Sequence, residues 1–391
     1  MKYDFTTLVN RTGAGSGKWD QMRRECPDIP EDIVPLSVAD MELRNAPELI
    51  EGLKEYLDQT ILGYTHETDA YYEAVIRWMQ RRHGFTPERE WFVIVPGIVP
   101  ALYQMVKAYT APGDSILITP PVYGPFYSAV TENGRHLVES PLILHEQRYD
   151  INWEDLEAKA ADPGVTLMIL CSPHNPIGRI WTREELTRLS EICLRHHVYL
   201  ISDEIHHDLI MPGESFVSVG TLPEAYRMNA SICTAPSKTF NLAGLQASNL
   251  FVPDPVKRGL LESAQGYSSL NIFGYKACEL AYNRCEAWLE ELLLHVAANR
   301  DYVREYVAEH LPMIQAYPMQ ATYLLWLDFR ALGMDADALR TFLHQKAYCF
   351  LTDGTFFGKE GAGFGRMNLA CPRFVLENTL ERLTAAIRAL S

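Results

Sequence analysis

A chain of 391 residues is too long for one simple hydrophobic core and points to two packed units. Its formal charge of −15 excludes a nucleic-acid partner, whose backbone it would repel, and leaves any anionic ligand to be held by local donors. With 47% apolar and 22% charged residues the composition is globular, and the longest apolar stretch, 91–106, is interrupted by Pro96, Gly97 and Pro100 and is too short to span a bilayer.

The first 46 residues are loop-rich and extended. Within them the run 12–18 invites a phosphate-loop reading, but Thr12 stands where that motif needs glycine and Trp19 where it needs Ser or Thr, so a flexible turn is expected. Residues 47–59 read as a helix with proline in its first turn and Leu49, Ile50, Leu53 and Leu57 on one face. A second helix runs over 67–82 and is stopped by Gly84; the loop Leu62-Gly-Tyr-Thr-His66 lies between the two. From residue 91 short β-prone runs alternate with helices, the pattern of right-handed βαβ units around a mostly parallel sheet. Strands are expected at 91–95, 115–118, 135–139, 166–170, 198–202, 231–234 and 248–252, with helices at 99–109, 153–160 and 183–196. After residue 256 the chain turns helical, at 271–282 and 286–309. The block from 312 onward has two or three strands and helices at 336–345 and 375–390. The expected division is therefore a large α/β unit over 47–285 and a smaller α+β unit over 286–391, with 1–46 packing on the smaller one.

Three successive strand ends carry an amide, a carboxylate and an amine: Asn175, Asp203 and Lys238. Loops at strand ends are where functional side chains concentrate, and Lys238 is expected on such a loop. Val95-Pro-Gly-Ile-Val-Pro100 ends a strand and opens a helix, leaving the amides of Gly97, Ile98 and Val99 at a helix N-terminus suited to phosphate. The cluster Asp203, His206, His207 and Asp208 lacks helical His-x-x-x-His spacing and any cysteine partner, so no metal is expected there. The glycine-rich run 354–365 has no surrounding βαβ unit and reads as a mobile loop near the site. Eight cysteines without a CxxC pair, and a start with no apolar leader core, read as the reduced thiols of a cytoplasmic protein.

The phrases Lys18-Trp-Asp20, Val38-Ala-Asp-Met41, Ser202-Asp-Glu-Ile-His206, Ser237-Lys-Thr-Phe-Asn-Leu-Ala243 and Arg366-Met-Asn-Leu-Ala-Cys-Pro-Arg373 span nearly the whole chain. As a set they resemble the cystathionine β-lyase and cystalysin group of fold-type I enzymes, in the class I and II aminotransferase superfamily. The resemblance implies a large domain with a mostly parallel seven-stranded sheet flanked by helices, a smaller α+β domain, and pyridoxal 5′-phosphate as cofactor. It implies that Lys238 bonds the cofactor and moves protons, that Asp203 pairs with the pyridine nitrogen, and that Asn175 and His206 meet the ring oxygen. Tyr123 stacks on the ring, while Ser237 joins Gly97, Ile98 and Val99 at the phosphate. Arg366 and Arg373 compete for the substrate carboxylate, which calls for a planar two-pronged donor; position favours Arg366, with Val38 and Asp40 also on the substrate side. Gln246 stands where many related aminotransferases place a base eight residues after the lysine. That departure puts weight on Tyr64, which in the resembled family reaches the phosphate from the partner subunit of a homodimer.

Removal of a proton from the substrate's Cα has two main outcomes, transamination or loss of a group on Cβ. A cysteine-type thiol, with a pKa near ~8.5, leaves readily as thiolate, so both stay open on chemical grounds. The resemblance favours a carbon–sulfur β-lyase acting on cystathionine or other cysteine S-conjugates to give thiol, pyruvate and ammonia. The alternatives are an aminotransferase of the aromatic or kynurenine type and a cofactor-binding regulator with vestigial activity.

Overall fold

The computed structural model describes residues 2–266 and 268–390. Seven strands form one sheet: β1 (Phe92–Val95), β2 (Ser115–Ile118), β3 (His136–Glu139), β6 (Val165–Cys171), β7 (Tyr199–Asp203), β8 (Ala230–Thr234) and β9 (Ser248–Phe251), in the order β1-β9-β8-β7-β6-β2-β3. A hairpin of β4 (Ile143–His145) and β5 (Arg148–Asp150) stands apart from it. All pairings in the large sheet are parallel except those of β9, which runs against both β1 and β8. The central strands β7 and β8 are buried along their whole length, as a parallel sheet covered by helices on both faces requires. Because β6, β7 and β8 run side by side in one direction, their carboxyl ends open into one crevice, the usual ligand position of such sheets.

Local signals explain the helices. Helix α2 (Pro47–Gln59), which follows α1 (Gly17–Glu25), has its proline in the first turn, where no backbone donor is wasted. The next helix, α3 (Asp69–His83), is capped by Thr68, whose side chain accepts from the Tyr71 amide, and it stops at Gly84 in the left-handed region at φ 61°. The helix Arg183–Arg195 begins with a full capping box between Thr182 and Glu185.

The second sheet is antiparallel, in the order β10 (Gln315–Ala316), β11 (Leu324–Asp328), β13 (Phe364–Asn368) and β12 (Thr352–Asp353). It packs with the 25-residue helix Glu286–His310 and with the C-terminal helix Arg373–Arg388. The N-terminal segment is stitched to this part: the Leu36 amide donates to Phe350, that of Glu42 to Ala370, and that of Asn368 to the Leu36 carbonyl. All eight cysteines are free thiols. Among the described residues no helix is long and apolar enough to cross a membrane.

Four sequence expectations need correction. The N-terminal segment is not all loop: α1 follows the glycine-rich turn and buries Lys18, Trp19 and Met22, an anchoring face hidden by the polar residues around it. Lys238 sits in a short helix, Pro236–Thr239, rather than on a loop, because Pro236 presets the first turn right after β8. The expected helix 336–345 is a helix only over Ala336–Thr341 and then widens into a π turn, Phe342–Lys346. The run 354–365 is no loose loop but two tight 3-10 turns whose backbones touch. A Cβ on Gly354 would lie 2.0 Å from the Gly361 carbonyl oxygen, so glycine is required there.

Candidate active site

The crevice at the carboxyl ends of β6, β7 and β8 is a cavity of about 510 Å³, closed on its far side by the second sheet and by residues 37–39 of the N-terminal segment. It brings together Lys238, Asp203, Asn175, His206, Tyr123, Ser237, Arg366, Val38 and the turn Gly97–Val99, residues spread over more than three hundred positions of the chain.

Lys238 is aimed by the chain on both sides of it. Its neighbour Thr239 donates its hydroxyl to Asp208 at 2.8 Å, and its own Nζ donates to the Ala39 carbonyl at 2.8 Å. Burial and the nearby Arg366 cation lower the amine to about 8, against the opposing pull of Asp40 and Asp203. A neutral, nucleophilic amine is therefore accessible near neutral pH.

Asp203 closes β7 and is fully enclosed; the Ile205 amide donates to its Oδ1 at 3.2 Å. Burial raises this carboxyl to about 7, with that hydrogen bond and Lys238 pulling the other way. A buried carboxyl with so little compensation calls for a cationic N–H partner in the cavity. His206 is equally enclosed, and burial followed by the charges of Lys238 and Arg366 holds it well below the usual range, so its ring is neutral. Its Nδ1 is buried and has no hydrogen-bond partner among the described residues.

Arg366 lies on β13, opposite Trp326, and spans the two sheets. Its Nη1 donates to Asn175 Oδ1 at 2.8 Å and its Nη2 to Thr352 Oγ1 at 3.1 Å, and its guanidinium lies 4.8 Å from the Phe357 ring. Burial brings it down to about 10, still fully charged at neutral pH. Arg373 opens the C-terminal helix, donates to Asn299 at 2.7 Å and covers the Tyr302 ring at 4.5 Å; it does not line the cavity. Tyr123 presents its ring at the cavity, edge-on to Phe356 with centroids 6.1 Å apart, and burial raises its hydroxyl above its ordinary range. Gln246 and Ser237 line the same space.

The phosphate-type turn differs in one detail. The Gly97 amide is already used, donating to the Val95 carbonyl at 2.9 Å with φ at 107°, so Ile98 and Val99 supply the free amides at the start of α4 (Ile98–Tyr109). Two further expectations are not met within the chain. The Asp40 carboxylate does not line the cavity but bonds Arg11 at 2.6 and 3.0 Å, because the positive charges of Arg11 and Lys18 hold it on the outer side. Tyr64 is fully exposed and lies outside the cavity of its own chain, beside exposed Ile61 and Leu62.

What Asp40 and its neighbours do is hold the segment over the lysine. Lys18 Nζ donates to the Asp40 carbonyl at 2.7 Å and pairs with Glu42 at 2.8 Å, both side chains wholly buried. Asn368 donates to the carbonyls of Val38 and Asp40. Val38 is bent into the left-handed region at φ 48°, a strained conformation for a β-branched residue, and its amide donates to Thr352 Oγ1. Residues missed in the sequence are the Ala39 carbonyl, Thr352, Phe356 and the charged rim of Glu25, Arg340 and Asp353. The phrase Val38-Ala-Asp-Met41, one of those that carry the family resemblance, was the available signal for the first; no periodicity marks the rest.

The histidine cluster is a clasp. Asp208 accepts from Trp78, Thr239 and His83, and contacts His207 at 3.1 Å. Its oxygens are occupied by N–H and O–H donors, which ties α3 to the turn that carries Lys238.

The model of the family described as aminotransferase class I and II matches residues 31–383. The chain is 41% identical over 387 residues to the cystathionine β-lyase PatB of Bacillus subtilis, covering 98% of this chain and all of that one. It is 29% identical over 393 residues to protein MalY of Escherichia coli K12, covering 99% of this chain and 100% of its relative. Cystalysin from Treponema denticola, solved with pyridoxal 5′-phosphate, superposes with a TM-score of 0.99 over the whole of both chains at 41% identity. A pyridoxal-phosphate-bound C–S lyase from Staphylococcus hominis superposes at 0.91 with 30% identity, over 99% of each chain.

Proposed function

The chain belongs to the aminotransferase class I and II family, and we propose that within it the protein is a pyridoxal-phosphate-dependent carbon–sulfur β-lyase. Its substrates on this reading are cystathionine and related cysteine S-conjugates. The observation that carries the reading is the full-length 41% identity to a cystathionine β-lyase and to cystalysin, joined to a half-buried lysine and a buried aspartate that line one cavity.

The residues present fit the cofactor. Asp203, an enclosed carboxyl short of donors, matches the pyridine nitrogen; the Ile98 and Val99 amides with Ser237 match the phosphate; His206, with its unpartnered Nδ1, and Asn175 line the cavity where the ring oxygen would lie; Tyr123 offers a ring face. Bound there, the group supplies an electron sink for the pair left at the substrate's Cα.

The chain does the rest. Arg366, preset by Asn175 and Thr352, takes the substrate carboxylate and fixes the Cα–H bond relative to Lys238. Lys238 Nζ, lowered to about 8, removes the α-proton and is positioned by the Ala39 carbonyl beforehand. The thiolate leaves Cβ, and pyruvate and ammonia follow by hydrolysis.

The working unit on this reading is a homodimer in which Tyr64 enters the partner's site. Its full exposure beside Ile61 and Leu62 suits an interface, and a two-fold axis would complete both sites at once. The large and small units divide near residues 46 and 285, and eight free thiols suit a reducing cytoplasm.

Product analysis with L-cystathionine tests the reaction. Pyruvate and a thiol released without any keto acid support the lyase. Turnover strictly dependent on a keto acid acceptor would make the protein an aminotransferase instead.

A further inference from the structure

Asp208 does not line the crevice, yet it is fastened to the residue next to the lysine. Strands β7 and β8 share a ladder as far as Asp203 and Cys233, and the Glu204 amide adds a last bond to the Cys233 carbonyl at 2.8 Å. The two chains then part, one turning through 204–209 and the other entering the short helix Pro236–Thr239. Among the described residues, the hydrogen bond that joins them again runs from Thr239 Oγ1 to Asp208 Oδ2 at 2.8 Å. Lys238 lines the cavity with Asp203 and His206, whereas Thr239 and Asp208 are buried behind it. We propose that Thr239, through Asp208, is a positioning residue for the reaction: it keeps the Lys238 amine in register with the Asp203 carboxylate, and so with a ring paired to that carboxylate. The inference rests on the lysine-bound cofactor of the reading above and adds residues that act on it without touching it.

Asp208 is built as a fixed point. From α3, Trp78 Nε1 donates to it at 3.0 Å and His83 Nε2 lies 2.8 Å from the same oxygen, while His207 Nε2 lies 3.1 Å from Oδ2. Burial opposes its charge, but His207 and His83 hold the carboxyl well below its ordinary range. Thr239 therefore bonds an ionised acceptor, the stronger kind of hydrogen bond. The turn itself is tight: the His207 amide and Nδ1 reach the Glu204 carbonyl at 2.9 and 2.7 Å, and the Leu209 amide donates to His206 at 2.9 Å. Since that turn starts at Asp203 and carries His206, Asp208 cannot shift freely against either.

The other hold on the lysine cannot serve throughout a reaction cycle. The Ala39 carbonyl accepts from Nζ itself, and Nζ must leave it to bond a carbonyl carbon or to carry a proton. The Thr239 bond grips the chain beside the lysine, so it persists whichever partner Nζ has. A reacting group displaced by about 1 Å loses on the order of a hundredfold in rate. Slack at Lys238 would thus slow its own steps and spare substrate binding at Arg366, which belongs to the second sheet.

The test compares Thr239→Val, which removes the hydroxyl at nearly constant volume, with Thr239→Ser, which keeps it. Asp208 stays in both, because its loss would strand its other donors. Two rates are read. Stripped protein is mixed with pyridoxal 5′-phosphate and capture is followed by visible absorbance; loaded protein is given L-alanine in heavy water and loss of its Cα proton is followed by NMR. L-Alanine has no group to expel, so the second rate reports proton transfer alone. Thr239→Val should slow both by about tenfold to a hundredfold, with half-saturation by L-alanine within about twofold of wild type. Thr239→Ser should keep both rates within about twofold of wild type. Should the valine protein fail to fold, Thr239→Ala lacks the same hydroxyl without crowding Asp208 and is held to the same expectations. Wild-type rates in the hydroxyl-free variant, even beside a lower urea midpoint, would make the bond a structural staple and overturn the proposal; serine as slow as valine would overturn it too. A wild type that gains no visible absorbance with the cofactor overturns the reading beneath along with it.

Discussion

Replacing Asp203 by asparagine should change how the cofactor-stripped protein responds to pH. In the folded chain burial lifts this carboxyl from its ordinary 3.8 to about 7. A raised carboxyl pKa means the folded state holds a proton that the unfolded chain has already released between pH 4 and 7. Stability is then full below about pH 4 and is lost as pH rises through 7, at ~1.4 kcal/mol per pH unit. Over about three units the loss is on the order of 4 kcal/mol. Asparagine has the same shape and no proton to lose, so this slope should vanish in Asp203→Asn. Glu204 is likewise pushed to about 7 by burial, but it is present in both proteins and cancels in the difference. Urea unfolding of both stripped proteins from pH 4.5 to pH 8 measures the effect. Restoring the cofactor should shrink the difference, because a cationic ring nitrogen compensates the ionised carboxylate. Parallel pH profiles for the two stripped proteins would show that Asp203 is not a strained acid, and the argument for its pairing with the ring would fall.

Arg366→Leu should raise KM for amino acid substrates about a hundredfold, as expected for losing a charge-assisted two-pronged contact of about 3 kcal/mol, whereas Arg373→Leu should leave KM in place and lower stability; steady-state kinetics of both variants decides the ranking. Glu42→Gln should destabilise the fold by about 3 kcal/mol, because Lys18 would remain buried with its charge poorly matched; an unchanged urea midpoint would contradict the assigned ion pair. Mixing inactive Lys238→Ala chains with cofactor-losing Tyr64→Ala chains should restore activity above either parent, since one site of each exchanged dimer carries neither lesion. Absence of recovery despite proven subunit exchange would place Tyr64 outside the partner's site.

All seven strands of the large sheet were legible because each is a short apolar run bounded by turn residues, whereas their order in the sheet and the reversed direction of β9 were not. The ends of β6, β7 and β8 were legible too, since a polar residue after such a run marks a strand leaving the core. The strap over the lysine was not. Residues 38–42 have no period of their own and take their shape from Lys18, Arg11 and Asn368, each remote in sequence. For Asp40 the phrase was recognisable, but which way its carboxylate faced depended on cations twenty to thirty residues upstream. Thr352 was invisible for a related reason: β12 is two residues long, and only its pairing with Arg366 turns that hydroxyl inward. Glu25 and Arg340 sit on helices that read as ordinary solvated faces, and Asp353 on a strand too short to show a pattern.

The central claim is that the cofactor is held covalently at Lys238. Borohydride reduction of the purified protein, followed by trypsin and mass spectrometry, tests it directly. Reduction blocks cleavage at the modified lysine, so the account predicts the pyridoxyl phosphate mass on the peptide 228–257, whose one internal lysine is Lys238. The same mass on a peptide carrying Lys18 or any other lysine, or on none, would contradict it.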